Sequence, residues 1–297
     1  MEPSEDRRRP MKNVLLFGAT GHLGRAIAVE LKSRGYQLDL AVRNPARAES
    51  LKIPRDRTLK WDPVSAESLP AIFGEPEVVI SSLGKSVSPN ARDKQSFNEV
   101  DFQLNLEILN HAIARNVRKF VYISAFHSER YQHLEYFRVH EAFSNELKQS
   151  GIDYAIVKPT SLFSAYLDMI PMAKKGALFT IGKGACKTNP IAEKDVAKLA
   201  VDAIGQPNVV IDAGGPGIYT RRELAEILQQ AIAPDRKVKR MPVSLLRFFL
   251  PLIRVADRNL FDKMDFFVEV MEADTVAPVR GMTRFEDFVL SVAEQSV

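Results

Sequence analysis

The chain has 297 residues, of which 45% are hydrophobic and 26% charged, and its formal net charge is +4 at pH 7. This composition is typical of a globular protein with a sizeable core, and it excludes a fibrous or wholly disordered chain. Three arginines at 7–9 supply much of the positive excess. Residues 1–10 offer no apolar face to bury, so we expect a disordered leader, with no nucleic-acid partner.

The cysteine content and the apolar runs indicate the cellular compartment and whether the chain crosses a membrane. Cys186 is the only cysteine, which excludes an intramolecular disulfide and fits a reducing compartment, so we expect a cytoplasmic protein. No histidines or cysteines stand at metal-ligand spacing, and no metal site is predicted. The longest apolar run, 245–256, contains two arginines and is too short to span a bilayer, so no transmembrane segment is expected.

Short apolar runs alternate with helical patterns over the first half of the chain. The predicted strands are 14–17, 37–42, 58–61, 78–81, 120–123 and 154–157, and the predicted helices are 23–33, 65–73, 95–115 and 138–149. The run at 78–81 is continuously apolar, as expected of a strand buried on both faces. Strands alternating with helices predict an α/β fold, a doubly wound parallel sheet of the Rossmann type.

The pattern changes after Pro159. Residues 160–190 are rich in loops, while a helix at 193–204 and a strand at 209–211 are predicted to return to the sheet. Further helices are predicted at 221–232 and 284–294, on either side of the apolar segment 243–256. We therefore expect a cofactor-binding core formed by 11–160 and 191–212. A smaller substrate lobe is expected from 161–190 and 213–297.

The loop after the first predicted strand carries the firmest functional signal. It reads Gly18-Ala19-Thr20-Gly21-His22-Leu23-Gly24 and leads from a strand directly into a helix. In such a loop one glycine permits the tight bend, one lets the backbone approach a pyrophosphate, and one lets the helix pack closely on the strand. The free N–H groups at the helix start hold the phosphates. The loop therefore predicts a bound dinucleotide.

The end of the second predicted strand indicates which dinucleotide is bound. An NAD(H) protein usually places an acidic residue there for the ribose 2′-hydroxyl. Here the strand ends at Arg43, with Arg47 one turn further on, whereas Asp39 lies too far back along the strand. A guanidinium suits a 2′-phosphate, because it forms two parallel charge-assisted hydrogen bonds. We expect NADP(H) in preference to NAD(H).

Several segments together resemble one protein family. Besides the glycine loop, the marks are Val79-Ile80-Ser81-Ser82-Leu83-Gly84, Val121-Tyr122-Ile123-Ser124, and the segment 150–160 that ends in Lys158-Pro159-Thr160. With these marks the chain resembles the atypical, extended-type short-chain dehydrogenase/reductase superfamily, near the NmrA-like NAD(P)-binding proteins. The likeness runs from about residue 12 to 160 and more loosely beyond.

The resemblance implies further cofactor contacts. Asp62 would meet the adenine, and Ser82, Leu83 and Gly84 would line the cofactor. Pro159 and Thr160 would lie near the nicotinamide. These implied positions follow predicted strands, where ligands of open parallel sheets bind.

The catalytic positions implied by the resemblance are only partly matched. Active members carry a serine after the fifth strand and a Tyr-x-x-x-Lys helix, and here Ser124 and Tyr136 take the first two positions while His140 stands in place of the lysine. The lysine's charge lowers the tyrosine pKa, and a histidine that is only partly charged at pH 7 does less. Ser124 would orient the substrate oxygen, Tyr136 would carry the proton, and His140 would hold the ribose or assist.

The leading hypothesis is an NADP(H)-dependent oxidoreductase acting on a small or apolar carbonyl-like substrate. A non-catalytic NADP(H)-binding redox sensor or assembly protein is the main alternative, and an epimerase or dehydratase that recycles its cofactor is a third. The segment 243–256 is expected to be buried against the sheet or in a dimer contact, with a peripheral membrane contact as the alternative. The sequence leaves the oligomeric state open.

Overall fold

The computed structural model describes residues 12–63, 68–91 and 94–294; the expected leader, 1–10, lies outside these residues. The strands are β1 (Asn13–Phe17), β2 (Gln37–Val42), β3 (Arg57–Lys60), β4 (Val78–Ser81), β5 (Lys119–Ile123), β6 (Asp153–Pro159), β7 (Phe179–Ile181), β8 (Lys187–Thr188), β9 (Val209–Ala213), β10 (Tyr219–Thr220) and β11 (Lys239–Met241). The helices are α1 (His22–Ser33), α2 (Pro45–Ser50), α3 (Ser68–Phe73), α4 (Leu104–Ala114), α5 (Glu135–Gln149), α6 (Ile170–Lys174), α7 (Glu193–Asp202), α8 (Arg221–Ile232), α9 (Val243–Ala256), α10 (Arg258–Met271) and α11 (Phe285–Glu294).

Seven of the described strands form one sheet in the order β3-β2-β1-β4-β5-β6-β9, and every pairing in it is parallel. This confirms the predicted doubly wound α/β fold. The chain adds strands on one side of β1 first and then, from β4, on the other. The crevice between β1 and β4 is therefore the switch point at which such sheets bind ligands.

Alternating side chains give the sheet two apolar faces. In β1, Val14 and Leu16 pack into the cluster that includes α1 and α7, whereas Leu15 and Phe17 pack into the cluster that includes α3, α4 and α5. All four side chains are buried, and each contributes roughly 1.5–3 kcal/mol to the fold. Helices on both faces explain why these strands are apolar throughout.

The second lobe has its own apolar cluster, in which Phe163, Leu224 and Phe285 are buried. Helix α10 contacts α5, where Phe266 packs against Phe137 with ring centroids 5.4 Å apart. Within the described ranges, no helix combines the length and apolar character needed to cross a lipid bilayer.

Several elements differ from the sequence prediction. The helix predicted at 95–115 begins with a π-helical turn, Asn98–Gln103, before α4, and the helix predicted from 138 begins at Glu135. The short strands β7, β8, β10 and β11 and the helix α10 were not predicted. The predicted helix at 65–73 is described only from Ser68 onward.

Candidate functional site: a dinucleotide crevice and a buried polar network

The glycine loop at the end of β1 has the geometry of a dinucleotide cradle. Gly18 has φ +80°, a left-handed conformation that favours glycine. A Cβ added at Gly24 would lie 2.1 Å from the carbonyl oxygen of Gly18, so only glycine lets α1 approach the strand this closely. A Cβ at Gly21 would come no closer than 3.4 Å to the protein, and Gly21 is exposed. The open side of the loop is therefore at Gly21, where a phosphate would approach.

The start of α1 is left open for an anion. Gly21 is the N-cap residue, no side chain caps the helix, and no acidic residue lies in its first turn. The N–H groups of that turn therefore retain their capacity to bind phosphate oxygens. Of the loop's other predicted contacts, Thr20 is half-buried and His22 exposed, whereas Leu23 packs into the core. Leu23 thus offers its backbone rather than its side chain.

Arg43 lies exposed immediately after β2 and forms no ion pair within the described chain. Asn44 caps α2 by accepting a hydrogen bond from the Arg47 N–H, which places Arg47 in the first turn of that helix. Asp39 is paired with Arg57 through two hydrogen bonds of 2.9 and 2.5 Å. The strand end therefore presents guanidinium groups, while the nearest β2 carboxylate is already occupied.

The other predicted cofactor contacts follow β3, β4 and β6. Ser82 ties β4 to β1, since its N–H and its hydroxyl both donate to the Phe17 carbonyl, at 3.1 and 3.0 Å. Asp62 is exposed after β3, and its backbone exchanges hydrogen bonds with Ser68. Pro159 and Thr160 are buried, and the Thr160 hydroxyl donates to the Asn189 carbonyl at 2.6 Å. All of these residues follow parallel strands, so they share the carboxyl edge of the sheet with the glycine loop.

Leu83 and Gly84 lead from β4 to a buried carboxylate. Leu83 is half-buried against the apolar cluster on the α4 side, and a Cβ at Gly84 would lie 3.3 Å from Oδ1 of Asp101. Asp101 is fully buried in the π-helical turn, and its carboxylate accepts from the Lys85 N–H at 3.3 and 3.2 Å. Asp101 therefore connects the predicted cofactor-lining loop with the helices behind it.

His140 lies between Asp101 and Tyr122 and is itself 4% exposed. Its Nε2 lies 3.3 Å from the Asp101 carboxylate, and its Nδ1 lies 2.6 Å from the Tyr122 hydroxyl. Burial, and then the charge of Lys158, lowers the pKa of His140 to about 3, so the ring is neutral at pH 7. We assign the Nε2–H tautomer, which donates to Asp101 and accepts from Tyr122. Both ring nitrogens are thus engaged inside the protein.

Tyr136 has an aromatic environment. Its ring packs against His140 and Phe266, with centroids 4.6 Å away in each case, and against Phe97 at 5.5 Å. Its hydroxyl forms no hydrogen bond to the described residues. Burial, and then the charge of Asp101, raises the pKa of Tyr136. The tyrosine therefore lies beside a neutral imidazole and lacks the cation that would make it more acidic.

Ser124 is buried at the end of β5, with its hydroxyl oxygen 3.2 Å from that of Ser144. Ser144 donates its own proton to the His140 carbonyl at 2.8 Å. Ser124 must therefore be the donor to Ser144, and its proton is occupied. The three predicted catalytic residues thus lie in one region, around α5, but Ser124 and His140 are held by bonds within the protein.

An ion-pair cluster around the buried Lys158, also on the α5 side, was not predicted from the sequence. Lys158 is 5% exposed and donates to Glu141 at 2.9 Å and to Glu129 at 3.0 Å, and Ser128 donates to Glu141 at 2.7 Å. Burial lowers the pKa of Lys158, but the hydrogen bonds and charges of the two carboxylates outweigh it, so the net shift is upward. Lys158 is charged, and its charge helps to keep His140 neutral.

The residues missed at the sequence level come from separate elements. Asp101, Tyr122 and Phe266 stand in the π-helical turn, in β5 and in α10, and they meet only in the folded chain. One local signal was present: an acidic residue, Asp101, stands directly between Val100 and Phe102 in a predicted helix. A buried carboxylate needs partners, so such a residue indicates a polar network.

Comparison with known proteins agrees with this geometry. Residues 18–207 match the model of the NAD(P)H-binding family, and the chain belongs to that family. This confirms the predicted family at the level of its nicotinamide-dinucleotide-binding domain, and with it the class of cofactor.

Two relatives and one solved structure illustrate the range of similar proteins. The chain is 22% identical over 261 residues to photosystem II assembly factor Ycf39 of Trieres chinensis, covering 86% of this chain and 80% of that protein. It is 26% identical over 266 residues to divinyl chlorophyllide a 8-vinyl-reductase of Arabidopsis thaliana, covering 81% and 62% of the two chains. The fold is similar to NADPH-dependent quinone oxidoreductase QOR2 of Escherichia coli, with a TM-score of 0.71, 18% identity, and coverage of 94% and 99%.

Proposed function

We propose that this member of the NAD(P)H-binding family is an NADPH-dependent reductase of conjugated, electron-poor, apolar acceptors, such as quinones or activated vinyl groups. The observation that carries the proposal is a contrast within one site. The dinucleotide cradle is complete, whereas the protons of Ser124 and His140 are used within the protein. The chain is thus built to hold a hydride donor but not to protonate a carbonyl oxygen strongly.

The cofactor part of the proposal assigns the roles of the loop residues. Gly18, Gly21 and Gly24 shape the loop, the N–H groups of the first α1 turn bind the phosphates, and Arg43 binds the 2′-phosphate of NADP(H). Asp39, the acidic residue of β2, lies three residues before the end of the strand and pairs with Arg57, so no free carboxylate of β2 stands where a ribose hydroxyl would bind. Ser82, Leu83, Gly84, Pro159 and Thr160 line the crevice, and Asp62 lies at its adenine end.

The acceptor class follows from the state of Tyr136. When bound, the reduced nicotinamide supplies a hydride to the acceptor. A simple ketone needs its oxygen protonated as the hydride arrives, and general acids accelerate such steps by about 10²–10⁴-fold. In a quinone, by contrast, the negative charge spreads through the conjugated system, so the quinol oxygen can take its proton from water or later from Tyr136. The rings of Phe97, Tyr136 and Phe266 form apolar surroundings that favour a flat, uncharged acceptor.

NADPH consumption by the purified protein tests this proposal, with menadione as the quinone and cyclohexanone as the simple ketone. We expect turnover with menadione and none with cyclohexanone, and we expect Tyr136→Phe to slow menadione reduction less than about tenfold. Tyr154→Phe is the matched control, because Tyr154 lies at the start of β6, opposite the carboxyl edge. Comparable turnover of cyclohexanone, with a loss of more than about 100-fold in Tyr136→Phe, would instead support the serine–tyrosine mechanism.

A second candidate is an NADPH-binding protein without turnover, which serves as an assembly or regulatory factor. The same engaged protons favour it, and one relative is named as an assembly factor. Tight NADPH binding with no oxidation of NADPH by menadione or any other conjugated acceptor would select this candidate. Unchanged NADPH affinity in Tyr136→Phe would agree with this non-catalytic candidate.

A further inference from the structure

The helix α9 exposes an apolar stripe to solvent, so the expected burial of this segment against the sheet is wrong. Phe248 is 72% exposed, Leu252 62% and Val255 90%, and Leu245 and Phe249 are also exposed. These positions are spaced by three or four residues, so they lie on one face of the helix. Leu250 is the buried residue of α9, and the helix packs along α10. A continuous apolar stripe of this kind marks a binding surface, because water solvates it poorly.

The chain around this stripe is basic and contains no acidic residue from 236 to 256. Its cations are Arg236, Lys237, Lys239, Arg240, Arg247 and Arg254. Arg247 pairs with Glu269 and Glu272 and thereby fixes α9 against α10, at distances of 3.0 and 3.1 Å. The other five form no ion pair with the described residues. Lys239 and Arg240 are exposed in β11, directly before α9.

We propose that α9 is an interfacial helix that lies on an anionic lipid bilayer, with its apolar stripe inserted at the level of the headgroups. Phenylalanine and leucine on one helix face, with arginine and lysine beside them, form the pattern by which monotopic helices bind such surfaces. Each cation near an anionic surface adds to the attraction. With 14 residues, α9 is about 21 Å long, which suits lying in the interface rather than crossing it.

Charge distinguishes a membrane from a second copy of the chain. In a symmetric dimer through this stripe, the same patch of both protomers would meet, and the two basic segments would be brought together. Like charges at an interface oppose association. Anionic headgroups, in contrast, attract the basic residues around α9, while the apolar side chains enter the bilayer at the level of the headgroups. The α9 surface is therefore better suited to bind an anionic bilayer than to bind the same surface of a second copy.

Tryptophan fluorescence and vesicle flotation test the proposal on the full-length protein. The natural tryptophan, Trp61, is 2% exposed, so a tryptophan introduced at Phe248 reports its own surroundings. With vesicles of equal parts phosphatidylglycerol and phosphatidylcholine, Phe248→Trp emission should shift to shorter wavelength. Met282→Trp is the matched control, because Met282 is 82% exposed and lies outside α9, and its emission should not shift.

Two double variants separate the apolar and the electrostatic contributions. Phe248→Ser with Leu252→Ser should weaken vesicle binding at least tenfold, and Lys239→Glu with Arg240→Glu should do the same for anionic vesicles. NADPH affinity should stay unchanged in both, which keeps this test independent of the proposed function. No flotation with anionic vesicles would overturn the proposal, as would a Phe248→Trp shift no larger than that of Met282→Trp. If the protein does not bind vesicles and light scattering shows a dimer, the stripe could instead bind a second copy of the chain. Dissociation of that dimer by Phe248→Ser with Leu252→Ser would assign the stripe to the second copy.

Discussion

Two glycines of the same loop should respond in opposite ways to a small side chain. In Gly24→Ala the new methyl would lie 2.1 Å from the Gly18 oxygen and 2.7 Å from the Gly18 carbonyl carbon. Both atoms belong to the backbone, so the loop must open by about 0.9 Å to reach 3.0 Å, the shortest contact that real Cβ atoms make. Overpacking of this kind costs about 1–3 kcal/mol. At roughly 2–4 °C per kcal/mol, the unfolding midpoint of the cofactor-free protein should fall by roughly 2–12 °C.

Gly21→Ser should leave stability intact and weaken NADPH binding. Gly21 has φ −75° and ψ 167°, which serine adopts freely, and a Cβ there meets nothing closer than 3.4 Å. Serine is also a better N-cap than glycine, because its hydroxyl accepts from the first-turn N–H groups. Those are the groups that the phosphates need, so we expect at least a tenfold loss of NADPH affinity in a fluorescence titration, with an unchanged or higher melting temperature. Unimpaired NADPH binding by Gly21→Ser would refute the placement of the pyrophosphate at this loop.

Three further predictions concern charges around the site. In paired titrations, Arg43→Glu should lower NADPH affinity at least tenfold and NADH affinity far less, because it places a carboxylate where the 2′-phosphate binds. Arg280→Glu makes the same charge change at another exposed arginine and should have no such effect. Lys158→Met should destabilise the protein by about 3–5 kcal/mol in denaturant unfolding, because it leaves the buried Glu141 carboxylate without its cation. Adding Glu141→Gln to this variant should recover part of that loss. If the destabilising effects of the two substitutions simply add, the pairing is contradicted. Unfolded chains bind a proton at His140 below about pH 6.5, which the folded chain takes up only near pH 3. Lowering the pH through this window therefore favours unfolding, and His140→Gln should flatten the stability–pH slope by about 1.4 kcal/mol per pH unit.

The sheet was predictable because its signals are local. The apolar run at β4, the glycine loop after β1 and the alternation of strands with helices each follow from a few adjacent residues. The short strands β8 and β10 pair although more than thirty residues of chain separate them. Each strand has only two residues, too few to show a pattern that predicts the pairing. For the same reason the loop and the candidate Arg43 could be predicted from adjacent residues, whereas the contacts of Asp101 and Lys158 could not.

The apolar segment 243–256 shows a different limit of sequence reasoning. Its composition marks it as apolar with interspersed arginines, but it does not say whether the apolar side chains meet the protein or the solvent. The structure places the α9 stripe outward because α10 covers the opposite side of the helix. Burial is a property of the neighbours, and a neighbour such as α10 was not predicted.

His140 is best understood together with Asp101 and Tyr122, and this explains why it is not a simple replacement for the family's lysine. A neutral imidazole has one donor and one acceptor, which match the Asp101 carboxylate and the Tyr122 hydroxyl. An ammonium at the same place would have three donors and no acceptor, and it would form a buried ion pair with Asp101. Its charge would be largely neutralised by that carboxylate instead of lowering the pKa of Tyr136. The neighbours of His140 therefore fix its neutral state, and this is why we propose an acceptor that does not need a strong acid.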